Sequence, residues 1–296
     1  MITSRRIEAN SLSFALDEIG DSDTVALCLH GFPEARIAWA DHLPVLAKLG
    51  WRVVAPDMRG YGDTDLPKTT ADYEVQHLID DVAALFDALG AKRRILIGHD
   101  WGGVVAWQVA LSGRLALDGL IILNAPHPNV FDRVLRDGWR QKLSSWYVAF
   151  FQLPWLPEVQ LRSRQGRGLT DILAVQSANF SAEALETYRR NILKPGAATA
   201  MVNYYRANAL ALSSPPTPAE KLQTPTLLVW GDADFALDTA LTQGNEAYVA
   251  DFTLAQIPGI SHWVLHDAPD LVTASIKTWA ESKGLADPNL DEPAPA

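Results

Sequence analysis

Ile95-Leu-Ile-Gly98-His99-Asp100-Trp101-Gly102-Gly103 is the stretch that decides the fold. A short apolar run suited to a buried strand enters a turn with glycine two positions to either side of Asp100, and an apolar helix follows over Val104–Leu111. Small residues are needed where a strand turns this sharply into a helix, and the sharpness pushes the central side chain out at the turn. The plainer reading of Asp100 is a helix N-cap. Three glycines and a buried strand before them favour a presented nucleophile, kept ionised by the helix dipole.

Outward from this turn the strand–helix rhythm continues. Val25–Leu29, Trp51–Ala55 and Leu120–Leu123 are short apolar runs, as a sheet covered on both faces requires. Leu78, Val82, Leu85, Phe86 and Leu89 recur at helical spacing, with Gly90 as a C-cap. This alternation predicts an α/β fold with a doubly wound, mostly parallel sheet. Residues 6–20 read as an antiparallel edge hairpin. From about 129 to 212 the chain is rich in Trp, Tyr, Arg and Leu and reads as helical, after which strands resume at Thr226–Trp230 and Phe252–Ile257, with a helix near 268–282. The expected organisation is a core over 1–127, an inserted helical cap over 128–214 acting as a lid, and the rest of the core over 215–296. Ser213–Pro218 reads as a stiff linker, and the tail from Gly284 as frayed.

Composition narrows the function classes. In 296 residues, 48% hydrophobic and 20% charged side chains exclude a disordered or fibrous protein. A net charge of −10 argues against a nucleic-acid partner and against an anionic membrane. Arg5 and Arg6 are followed by Ile-Glu-Ala-Asn rather than an apolar export segment. The longest apolar run, Trp146–Phe151, is far shorter than the roughly 20 residues that span a bilayer. The lone Cys28 excludes a disulfide framework and suits the cytoplasm, the expected location. There is no G-x-G-x-x-G, so no dinucleotide is expected, and no other cofactor is implied.

A nucleophile on such a turn needs an acid and then a histidine later in the chain. Asp234, closing Leu227-Leu-Val-Trp-Gly-Asp-Ala-Asp, and His262, in Gly259-Ile-Ser-His-Trp263, follow strands and fall where such sheets collect their sites. Asp232 is the rival acid and His266 the rival base. His30, His99, Asp100, Asp234 and His262 could instead converge on a metal. Scaffolding is the simpler reading of His30 and His99, and no metal is expected.

These pieces carry a resemblance. Val25–Glu34, with its His30-Gly31-Phe32-Pro33 core, Asp57–Gly62, Gly98–Gly103, Trp230–Phe235 and Ser261–Trp263 are similar to the α/β-hydrolase superfamily, and within it to the soluble epoxide hydrolases. The resemblance covers about residues 6 to 282. It implies a cis peptide at Phe32–Pro33 and an oxyanion hole from the backbone N–H groups of Phe32 and Trp101. It implies a triad of Asp100, Asp234 and His262, with Tyr147 and Tyr205 as lid donors. Tyr147 precedes Phe151-Gln-Leu-Pro154, and Tyr205 lies in Asn203-Tyr-Tyr-Arg206. Both would otherwise be packing aromatics. Phe32, Pro33, His99, Trp101, Phe150 and Phe151 are expected to contact a small apolar epoxide.

A carboxylate nucleophile suits attack on an sp³ carbon bearing a leaving group, giving an ester that water then cleaves. The leaving group is then an epoxide oxygen or a halide, and the lid tyrosines that the resemblance implies make epoxide hydrolysis the expected activity. Haloalkane or haloacid dehalogenation is the alternative, with a halide on the Trp101 indole. The haloalkane enzymes usually carry Asn where this chain has Phe32, and fluoroacetate dehalogenases carry Arg where it has Trp101. A non-catalytic receptor on the same fold is the remote reading. The segment 133–167 carries seven Lys/Arg against Asp137 and Glu158. It reads as a solvated helical face, with substrate passage or a homodimer contact as alternatives.

Overall fold

The computed structural model describes residues 1–213 and 220–287. Its strands are β1 (Thr3–Ala9), β2 (Leu12–Ile19), β3 (Thr24–Leu29), β4 (Arg52–Pro56), β5 (Arg93–His99), β6 (Gly119–Leu123), β7 (Thr226–Gly231) and β8 (Phe252–Ile257). They form one sheet in the order β1-β2-β4-β3-β5-β6-β7-β8. β1 and β2 pair antiparallel, as do β2 and β4, while all later pairings are parallel. The edge hairpin expected from residue 6 begins three residues earlier.

Around the sheet lie α1 (Leu43–Ala47), α2 (Val75–Ala88), α3 (Trp101–Ser112), α11 (Val264–Asp267) and α12 (Pro269–Ser282). Between β6 and β7 the described chain is helical without a strand: α4 (Pro128–Asp137), α5 (Trp139–Ser144), α6 (Trp146–Phe150), α7 (Leu156–Arg162), α8 (Arg167–Gln176), α9 (Ala182–Leu193) and α10 (Ala197–Ser213). This is the cap. The helix expected over Val104–Leu111 begins at Trp101, directly behind Asp100. Ser213, read as the start of the linker, ends α10, and 214–218 lie outside the described residues, as does the tail beyond 287. The start of the tail is not frayed, since Trp51 Nε1 donates to the Leu285 carbonyl at 2.7 Å and the Asp287 N–H to that of Leu49 at 2.9 Å.

Alternation along the strands separates two cores. Val25, Leu27, Leu96, Ile122 and Leu228 pack with α2, α3 and the cap. Ala26, Cys28, Ile95, Ile97, Ile121 and Val229 pack with α1 and α12 on the other face. Both faces are buried, which is why these strands read as unbroken apolar runs. The chain winds from β3 out to β4 and then returns to β5 on the other side of β3. Crevices form at the strand ends where such a sheet reverses direction. Here that point joins the loop after Leu29 to the turn after His99, since Leu29 pairs with Gly98. No helix among the described residues is long and apolar enough to cross a membrane.

Candidate active site

Asp100 sits at φ 50°, ψ −119°, a region that costs a side-chain-bearing residue about 1–3 kcal/mol. The neighbourhood leaves it no choice. A Cβ on Gly98 would lie 2.3 Å from the Gly102 carbonyl oxygen, and one on Gly102 would lie 2.3 Å from that of Leu29. Only glycine lets strand, turn and helix approach this closely.

The carboxylate thus presented is held at both oxygens. Phe32 N–H donates to Oδ1 at 2.7 Å, and His262 Nε2 lies 3.5 Å from Oδ2. Trp101 N–H, at the first position of α3, has no acceptor within its own helix. The Phe32–Pro33 peptide is cis. His262 Nδ1 donates to Asp234 Oδ2 at 2.7 Å, which leaves Nε2 facing Asp100. Asp234 Oδ1 accepts from the N–H groups of Ala236 and Leu237 at 2.7 and 2.9 Å, and Asn124 Nδ2 donates to Oδ2 at 2.8 Å.

These contacts set the charges. Burial works against ionisation of Asp234, but the His262 charge and the bonds from His262, Asn124 and Ala236 outweigh it and lower its pKa. Burial likewise works against a charged His262. The charge of Asp234 and the hydrogen bond with Asp100 overcome it and raise the imidazole pKa well above its ordinary value.

Two cavities, of about 370 and 280 Å³, share Asp100, Tyr147 and Tyr205 in their walls. The first runs past Trp101, Trp107 and Phe131; the second past Phe32, Phe151 and Trp263. Tyr147 and Tyr205 stand with ring centroids 6.0 Å apart, and Trp101 meets the edge of Tyr205 at 5.0 Å. Enclosure, with the nearby Asp100 charge, pushes both phenol pKa values up, so both hydroxyls stay protonated as donors. Phe32, Pro33, Phe150 and Phe151 line the second cavity and Trp101 the first.

His99 corrects the sequence reading. It was expected to contact substrate, but it is fully buried and lines neither cavity. Its Nδ1 meets Glu34 Oε2 and its Nε2 meets the His262 carbonyl oxygen, both at 2.9 Å. It supports the backbone of His262 from below. His30 accepts from the Met58 N–H through Nε2 at 3.0 Å, also as scaffolding. The rivals lie elsewhere: Asp232 accepts from the Gly259 N–H at 2.6 Å, and His266 Nε2 bonds Glu34 Oε1 at 2.9 Å.

Several supporting residues escaped the sequence reading. Asn124 also accepts from the Gly231 N–H through Oδ1 at 2.9 Å, tying the ends of β6 and β7 behind Asp234. Its signal was its place at the carboxyl end of an apolar strand. Arg206 donates to the Phe151 carbonyl at 3.1 Å and pairs with Glu158 at 2.6 Å, fixing the segment after Tyr147 beside Tyr205. Gln141 bonds the Ala236 carbonyl and the Asp238 N–H, both at 2.9 Å, anchoring the cap to the loop after Asp234. Neither was singled out, because both act across long stretches of chain.

Comparison with known proteins places the fold and the family. Residues 25–269 match the family model described as the alpha/beta hydrolase fold. Human "Epoxide hydrolase 4" is 35% identical over 287 residues, covering 94% of this chain and 78% of that one. "Epoxide hydrolase 3" of Xenopus tropicalis is 36% identical, covering 96% of this chain and 79% of that one. The crystal structure of an epoxide hydrolase from Bacillus megaterium with an inhibitor superposes with a TM-score of 0.86 at 26% identity, over 94% of this chain and 100% of that one.

Proposed function

We propose, for a chain that belongs to the epoxide hydrolase family of the α/β-hydrolase fold, that it adds water to an apolar epoxide through an alkyl ester on Asp100. The observation that carries this reading is the pairing around His262. One ring nitrogen lies on buried Asp234, and the other faces a carboxylate whose second oxygen is held by the Phe32 N–H.

Asp100 Oδ2 attacks an epoxide carbon, and that carbon's bond to the ring oxygen breaks. Tyr147 and Tyr205 hydrogen-bond the developing alkoxide; one supplies its proton and regains it from solvent. Asp100 Oδ1 becomes the ester carbonyl oxygen, already against the Phe32 N–H. Water then attacks the carbonyl carbon and gives a proton to His262 Nε2. The Phe32 and Trp101 N–H groups hold the resulting oxyanion. Collapse breaks the bond between the Asp100 carbonyl carbon and Oδ2, and His262 returns the proton to the departing diol. No cofactor enters any step. The fully buried thiol of Cys28 suits the reducing cytoplasm, where we place the enzyme.

Two measurements test the scheme. In a single turnover in water labelled with heavy oxygen, the diol is expected to leave unlabelled and the label to appear in Asp100. Label in the diol from the first turnover would mean direct attack by water. Asp234→Asn is expected to slow ester hydrolysis by on the order of 10³–10⁴, because the imidazole loses its charged partner and its tautomer. Asp232→Asn is expected to leave the rate within about threefold, since only a peripheral Gly259 N–H depends on it. The opposite ranking, read by stopped-flow tryptophan fluorescence, would remove Asp234 from the triad.

A further inference from the structure

Along the helical stretch Trp139–Phe150, Tyr147, Val148 and Phe150 pack inward, but a second face turns large apolar side chains to water. Trp139, Leu143 and Trp146 follow one another at spacings of four and three, which places them on one helix face. They are 68, 63 and 66% exposed. The break between α5 and α6 leaves that face continuous, because Ser145 keeps φ −84°, ψ 10° and its N–H still bonds the Gln141 carbonyl at 2.9 Å. Within α5 it is polar Gln141 that turns inward. Isolated exposed apolar side chains are ordinary, but a stripe with two tryptophans marks a contact surface.

Cations border the stripe. The Arg140 guanidinium lies over the Trp139 ring at 5.9 Å, and Lys142 is exposed beside it, as is Arg136, which pairs with Asp132. The segment 133–167 carries seven Lys/Arg against two acids, net +5, so the rest of the chain holds −10 − 5 = −15. Charges interact over a screening length of about 8 Å at physiological salt, so a surface in contact meets the cations beside the stripe and not the total.

We propose that the Trp139–Trp146 face of the cap docks on an anionic lipid surface. Tryptophan and Arg/Lys together are the side chains that settle at a lipid headgroup layer. A second copy of the chain fits less well, because a two-fold contact sets the same cations against themselves. Trp146 and Ser144 also line the second cavity over Asp100, so docking turns that cavity's rim toward the lipid. The docking stands on surface chemistry alone and holds whether or not the site opens epoxides.

The test uses the full chain with vesicles of phosphatidylcholine alone and with phosphatidylglycerol added at roughly three parts in ten. Sedimentation is expected to bring the protein down with the anionic vesicles at low salt and to release it at high salt. Arg140→Glu/Lys142→Glu is expected to weaken partitioning by about fivefold or more for each cation lost. Trp139→Ser/Leu143→Ser is expected to abolish it, with circular dichroism and Tm unchanged because both side chains are exposed. Equal binding to neutral vesicles, no binding at all, or binding that survives both double variants would overturn the proposal. So would a wild-type dimer, dissociated by Trp139→Ser/Leu143→Ser, with no affinity for vesicles.

Discussion

Asp100→Ala is expected to abolish turnover, by at least about 10⁴-fold, and His262→Gln to stop one chemical step later with the substrate left as an ester on Asp100. The two variants separate because, in the proposed scheme, the residues act in different halves of the reaction. Removing the carboxylate removes the bond-forming atom, whereas removing the imidazole spares the attack and strands its product. Mass spectrometry of His262→Gln after one turnover should find the added mass on a peptide containing Asp100. An adduct elsewhere, or none, would defeat the covalent scheme. The pH dependence adds a second check. In the resting site Asp100 helps hold a proton on His262, against the effect of burial. Esterification removes that charge, so the His262 pKa falls in the intermediate and the ring becomes a base when a base is needed. Ester hydrolysis should therefore slow as pH is lowered through this pKa, when the ring keeps its proton. Alkylation needs only ionised Asp100 and should not follow that limb.

The second large effect is expected at the cap. Tyr147→Phe and Tyr205→Phe should each slow alkylation of Asp100 by up to 10²–10³, the cost of losing roughly one oxyanion donor, and leave ester hydrolysis almost unchanged. Two donors on one alkoxide partly replace each other, so single losses should be milder than half of the double loss. The double variant should scarcely open an epoxide. Dehalogenation predicts otherwise, since a departing halide needs no proton. Position 32 offers a phenyl ring where a second halide donor would be wanted. Stopped-flow measurements with styrene oxide and a 1-haloalkane would decide. Unimpaired epoxide opening in the double variant would remove the tyrosines from the mechanism, and brisk halide release would favour the alternative.

The residues legible in sequence were those whose signal is local. Gly98, Gly102 and Gly103 announce a turn that only glycine permits, and apolar runs announce strands covered on both faces. Asp234 and His262 were legible by chain order and by their places after strands. His99 misled because adjacency to Asp100 says nothing about which side of the strand a side chain takes. It points into the scaffold, where Glu34, 65 residues away, is its partner. Asn124, Gln141 and Arg206 were hidden for the same reason, since each acts on backbone that only the folded sheet brings near. The cap's charge was visible, but a total of −10 concealed that its cations border an exposed apolar stripe.

The insertion between β6 and β7 has a consequence for the order of synthesis. Leu120 of β6 pairs with Thr226 of β7, so neighbours in the sheet are separated by the whole cap. As the chain leaves the ribosome, Asp100, Tyr147 and Tyr205 emerge first, while Asp234 and His262 are still to be made. Until they arrive, β6 is an open strand edge, the kind of surface on which partly folded chains associate. In the proposed scheme the nascent protein holds its electrophile-binding half before its water-activating half. On that scheme, a shortened translation product ending within the cap would carry a nucleophile with no means of releasing whatever it captured.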